Sequence, residues 1–203
     1  MELTQNQTVK ILALLLLLAS ISQPIYTALY RLAPEFDRQF LWGLEALIFV
    51  LMATIAGSAL VMAKRYTLGF SAIAFSAVLN VIQVGIGLTQ FGPVREAVQS
   101  NAEIGGVMSA VFAFSFFGYN AAKILLGLAA VVFGMALSGA DNKGLKKTLG
   151  GAAVLVGALA LVTNALVMML GTQGFVPRSL AGGSGVAATL LLALCLFSLE
   201  HED

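Results

Sequence analysis

Histidine, cysteine and tryptophan occur once each in this chain, as His201, Cys195 and Trp42. A single thiol forms neither an internal disulfide nor a Cys-x-x-Cys redox pair. A single histidine removes bis-histidine haem ligation within one chain, the usual His-rich zinc or copper sites, and a Ser-His-Asp triad. His201 sits in the terminal "EHED", which reads as a solvated acidic end rather than a metal site. Charge is also scarce. Only 10% of residues are charged, against about 25% in soluble domains. The net charge of +1 leaves no basic surface for nucleic acid. The lysine and Ser/Thr of a phosphate-binding loop are missing after the glycines of "AGGSG", so no ATPase motif is present. These absences imply no cofactor and no metal, and they make an enzyme the weakest reading. A Glu-Lys acid/base pair is the remaining catalytic option.

What the chain has instead is apolar sequence, 59% of its residues, gathered in long runs. Six segments stand out, at approximately 9–30, 40–63, 66–91, 104–138, 149–170 and 185–199. A spanning helix needs roughly 20 apolar residues. Backbone polar groups in lipid must bond within their own segment, so the segments are expected to be helices. The fold class is therefore an all-α integral membrane protein of six transmembrane helices, a single polytopic domain in contact with the lipid bilayer. The first segment runs from Lys10 through "ILALLLLLAS" and "ISQPIYTALY" to Arg31, longer than the apolar core of a signal peptide, and reads as the first span.

The fourth segment is too long for a simple span, roughly 50 Å at about 1.5 Å per residue. Ser100 and Glu103 fit an S-x-x-E capping box at its start, and Gly118 is its natural weak point. It is either one projecting helix or a partly embedded helix followed by the true span. The stretch 93–101 reads as a loop, with Gly92-Pro93 as a turn that would hinge a lid. "AGGSG", 181–185, reads as a flexible connector before the last helix, with an anion site at that helix N-terminus as the lesser option.

Basic residues orient the bundle. With six spans one side carries Lys10, Lys64, Arg65, Lys143, Lys146 and Lys147, and the other Arg31, Arg38, Arg95 and Arg178. The excess predicts both termini in the cytoplasm, with the cell (inner) membrane as the location. "KRYTLG" and "LTQFGPVR" bracket the third segment much as "KKTLGG" and "GTQGFVPR" bracket the fifth. That likeness suggests a helix-hairpin repeat, an arrangement some transporters use.

Polar residues inside the spans form a belt. At about 1.5 Å per residue from the cytoplasmic end, Gln23 lies roughly 20 Å up, Asn80 ~22, Lys123 ~24, Asn164 ~26, Gln83 ~27 and Glu45 ~28, with Asn120 slightly above Lys123. Face counting places most of them on small-residue stripes, where membrane helices pack closely. One stripe is Ser76, Asn80, Gln83 and Gly87. Another is Asn120, Lys123, Gly127, Ala130, Gly134 and Ser138. A third is Ala153, Gly157, Ala160 and Asn164, and a fourth is Ser20, Gln23 and Thr27. Glu45 is the exception, since Phe49 and Met52 share its stripe.

Lys123, alone in "FFGYNAAKILLG", has three readings: a snorkelling cation, a structural partner of Glu45, or part of a ligand site. A Schiff base to an aldehyde chromophore is a fourth, opposed by the few large aromatics expected at that depth. The expected function is binding or transport of a small polar or zwitterionic solute. Glu45 would take an amine, Lys123 an anion, and Gln23, Asn80, Gln83, Asn120 and Asn164 would supply hydrogen bonds. The alternative is an assembly subunit of a larger membrane complex, or a homo-oligomer, with the belt as interhelical glue.

Overall fold

The computed structural model describes residues 3–33, 36–139, 142–171 and 174–199. The terminal "EHED", with His201, lies outside the described residues. Six helices account for the architecture: α1 (Gln5–Leu32), α2 (Gln39–Met62), α3 (Thr67–Ser100), α4 (Gly105–Leu137), α5 (Leu145–Leu170) and α6 (Arg178–Ser198). A 3-10 turn, Ala102–Ile104, leads into α4. All six are long and apolar enough to cross a membrane. Six crossings leave both termini on one face of the bundle, and the two ends are referred to below as the terminal end and the opposite end.

The helices form a closed ring. Each packs against the next in sequence, α6 returns to α1, and α4 also touches α6 across the interior. That makes α4 the most enclosed element, with 56% of its most apolar stretch buried against 28% in α5. Its small residues are the reason. A Cβ at Gly127 would stand 2.7 Å from the Gly157 carbonyl oxygen, and one at Gly157 would stand 2.7 Å from that of Gly127. Gly134 and Gly150 repeat the arrangement at 2.8 and 2.6 Å. Backbone therefore lies on backbone along the α4–α5 seam, where lipid offers no hydrophobic force and close dispersion contact must hold the helices. The α2–α3 hairpin is not closed this way, since a Cβ at Gly57 would meet nothing within 4 Å.

The terminal half holds the large buried apolar side chains. Leu12 and Leu16 of α1, Met52 of α2, Phe70 and Ile73 of α3, Phe133 of α4 and Leu192 and Leu196 of α6 are buried there. The Phe70 and Phe133 rings meet edge to face at 5.0 Å, and Phe133 lies where a side chain on Gly69 would stand.

Four local expectations are corrected. α3 does not end at Gly92-Pro93 but continues to Ser100, so 93–101 is neither a loop nor a hinged lid. Proline keeps a helical φ and forfeits one hydrogen bond, and the good helix formers of "VREAVQ" carry the helix on. Ser100 is not the cap of α4. Its hydroxyl bonds back to the Ala97 carbonyl, and Asn101 caps the next turn by accepting from the Glu103 amide. Gly118 does not break α4, which runs uninterrupted past it with Gln83 Cβ 3.5 Å from where a side chain would begin. "AGGSG" is not a connector, because α6 starts at Arg178 and includes all five residues. α1 also starts earlier than expected. Thr4 and Gln7 form a reciprocal capping box, with the Gln7 amide donating to Thr4 Oγ1 at 3.3 Å and the Thr4 amide to Gln7 Oε1 at 3.0 Å.

Candidate functional site

At the opposite end the ring opens around a cavity of about 730 Å³. Five helices line it and α5 contributes nothing. Each wall follows from helical periodicity. α3 supplies Gln83, Gly87, Phe91 and Arg95 at steps of four, one stripe of the helix. α2 supplies Arg38, Trp42 and Glu45, and α4 supplies Phe112, Ser115, Phe116 and Tyr119. α1 adds Gln23, Tyr26 and Thr27, and α6 adds Arg178 and Gly182.

The middle of the cavity is aromatic. Tyr26 stacks on Trp42 with centroids 6.0 Å apart, and Trp42 meets the edge of Phe91 at 5.6 Å. Phe91 in turn touches Phe112 at 4.7 Å. Trp42 reaches α3 at Gly87, 3.5 Å from where a Cβ would stand. The mouth is charged, with Arg38, Arg95 and Arg178 against Asp37. Two of the guanidinium groups lie over rings, Arg38 on Tyr26 at 5.9 Å and Arg178 on Phe116 at 5.4 Å, so flat cations rest on the aromatic wall.

The floor holds the polar belt's inward part. Glu45 is 7% exposed and lines the cavity. Its stripe mates Phe49 and Met52 are themselves buried, so that stripe faces inward and Glu45 is no exception to it. The Ser22 hydroxyl stands beside its carboxylate, and Lys123 is the cation within electrostatic reach. Tyr119 separates the two. Its hydroxyl donates to Gln23 Oε1 at 3.1 Å, and its ring covers the Lys123 ammonium at 5.3 Å from the centroid. Gln83 donates to the Ser115 hydroxyl at 3.4 Å.

Of the seven residues expected at a site, Gln23, Glu45 and Gln83 line the cavity and four do not. Lys123 lies under the Tyr119 floor, 3% exposed, with its stem packed where a Gly185 side chain would stand, 2.8 Å from Cδ. It does not snorkel, because α4 turns it inward. Asn80 donates to the Ser76 carbonyl at 3.0 Å and Asn120 to that of Phe116 at 2.8 Å, each within its own helix. Asn164 donates to Ala160 at 2.8 Å and across to the Ala181 carbonyl of α6 at 3.0 Å. Thr163 and Ser184 share a hydroxyl contact at 3.0 Å beside it. The belt thus divides: one part faces the cavity, and the α5–α6 part bonds helix to helix.

Sequence reasoning missed the mouth arginines and the aromatic wall. A signal existed. The spacing 83, 87, 91, 95 on α3 and 38, 42, 45 on α2 extends the polar stripes to the helix ends. In the sequence Arg38 and Arg95 mark only the orientation of the spans. Among the described residues no cluster of histidine, cysteine, aspartate and glutamate is arranged to hold a metal ion. Compared with known protein families, with curated proteins and with solved structures, the chain shows no match.

Proposed function

We propose that this multi-pass membrane protein binds a small polar or zwitterionic solute in the cavity at the opposite end of the bundle and passes it across the membrane. The observation that carries the reading is chemical contrast within one enclosed space: a carboxylate at the floor, guanidinium groups at the mouth and aromatic faces between. A hydrated solute exchanges its water there for charge-assisted hydrogen bonds and ring faces. Glu45 is the group for an amine. The arginines take the anion role that Lys123 does not reach from beneath Tyr119. Gln23, Gln83 and Ser115 offer polar contacts at the floor. The filled terminal half would close the pathway on that side, so the cavity is open to one face only.

The excess of lysine and arginine at the terminal end supports cytoplasmic termini, with the cavity facing outward from a cell membrane. With no ATPase motif in the sequence, energy for transport would come from a gradient or from another chain. The glue-like α5–α6 contacts favour the second reading, an assembly subunit, but such a subunit has no use for a polar cavity.

Trp42 tests the proposal directly, because it is the chain's single tryptophan and part of the cavity wall. Zwitterions, amines and carboxylates titrated onto the purified protein should shift or quench its emission saturably. Glu45→Gln should weaken binding of amine-bearing solutes by about tenfold or more, the worth of one charge-assisted contact. An emission spectrum that no solute in the panel alters defeats the reading.

A further inference from the structure

We propose that the solute is an elongated zwitterion, with its ammonium and its anionic group separated by an apolar middle, and not an α-amino acid. The inference deepens the binding reading above and rests on it. Its ground is the axial spacing of the charges that line the cavity. Glu45 follows Arg38 by seven residues on α2, so their backbones differ in height by roughly 10 Å at about 1.5 Å per residue. Arg178 opens α6 four residues before Gly182, a rise of roughly 6 Å. Gly182 itself lies level with the floor, with the Tyr119 hydroxyl 3.5 Å from where its Cβ would stand. The backbones that carry Arg38 and Arg178 therefore stand one to two helix turns above the floor, with the Arg38 guanidinium over the Tyr26 ring and that of Arg178 over Phe116.

Aromatic faces line the space between. Trp42 sits between Arg38 and Glu45 on the same stripe, and Phe116 carries the Arg178 guanidinium on its ring. An α-amino acid separates its charges by about 3 Å, too short to reach both levels, while each methylene of an extended chain adds about 1.25 Å. A chain of six to eight carbons spans the gap and lays its methylenes on the indole and phenyl faces.

The test is a length series read by Trp42 emission in detergent: glycine, γ-aminobutyrate, ω-aminohexanoate, ω-aminooctanoate and ω-aminododecanoate. Two single-charge controls, octylamine and octanoate, are run beside them. The inference expects the hexanoate and octanoate members to bind at least about tenfold more tightly than glycine, and more tightly than either control. Glu45→Gln should remove the advantage over octanoate, and Arg178→Gln should reduce the advantage over octylamine. The probe comparison uses the unaltered protein, so it stands even where a variant fails to fold. Affinity that is flat along the series overturns the spacing argument and leaves the binding reading intact. So does a response to glycine with none to the longer members. A Trp42 signal that answers to no solute removes both.

Discussion

Removing Glu45 and Lys123 singly and together measures whether the floor of the cavity is held by charge. Lys123 lies buried under Tyr119, and among the described residues it makes no ion pair or hydrogen bond that would fix its ammonium. Its attraction to Glu45 therefore acts across a gap. At an effective dielectric of about 20, two unit charges gain about 4 kcal/mol at 4 Å and about 2 kcal/mol at 8 Å. A coupling of about 1–3 kcal/mol follows for a pair just beyond contact. Glu45→Gln should destabilise the fold by about 2 kcal/mol, because it leaves a buried ammonium without its counter-charge. Lys123→Met keeps the packed stem on Gly185 and removes the cation, so its cost should be smaller. The double variant should sit near the unaltered protein. Equilibrium unfolding in detergent supplies the four free energies. Losses that add within about 0.5 kcal/mol show no coupling, and they would refute the claim that these charges sense each other through Tyr119.

Other perturbations probe the scaffold beneath. Gly157→Ala places a methyl 2.7 Å from the Gly127 carbonyl and 3.0 Å from Ala130 Cβ; the α4–α5 seam must part, at a cost of about 1–3 kcal/mol. Gly151→Ala meets nothing within 4 Å and should be neutral or stabilising by up to about 1 kcal/mol, so equal losses at both positions in a detergent unfolding assay would contradict the backbone contact. Tyr119→Phe deletes the donor to Gln23 and keeps the ring over Lys123, costing about 0.5–1.5 kcal/mol. Tyr119→Leu removes the ring as well and should cost a further 0.5–2 kcal/mol or about that; identical losses in the two variants would mean that the ring does not support the ammonium.

The spans and their packing faces were legible because lipid enforces them. A backbone in hydrocarbon has only its own segment to bond with, so run length gave six helices. Closest approach needs the smallest side chains, so the stripes through Gly127, Gly134 and Gly157 marked a real seam. Punctuation misled in the same places for the opposite reason. Pro93 and the glycines 181–185 are breakers in water, but Pro93 fits the helical φ, and Gly185 leaves the space that the Lys123 stem fills. Depth counting puts seven amides and charges in one belt and does not divide them. An asparagine that donates to the carbonyl four residues back, as Asn80 and Asn120 do, keeps its amide on its own helix, whereas Asn164 donates both there and across to Ala181 of α6. A longer glutamine reaches past that turn, which is why Gln23 and Gln83 bond to other helices instead.

The same accounting explains the lysine in "FFGYNAAKILLG". A cation on the most enclosed helix is tolerable only if the surroundings replace its water. Here Tyr119, one turn earlier on the same face, supplies a ring and caps the ammonium from the cavity side, and Gly185 accommodates its stem from α6. Glu45 supplies the opposite charge from α2 without closing on it. A contact ion pair would have satisfied Lys123 at the expense of the carboxylate, since a paired Glu45 has less to offer an incoming amine. Holding the cation one layer down leaves Glu45 near the cavity and open to a second partner. Lys123 is not one of the cavity's walls, and on the binding reading its removal should alter the affinity of amine-bearing solutes, read by Trp42 emission, without altering which solutes fit.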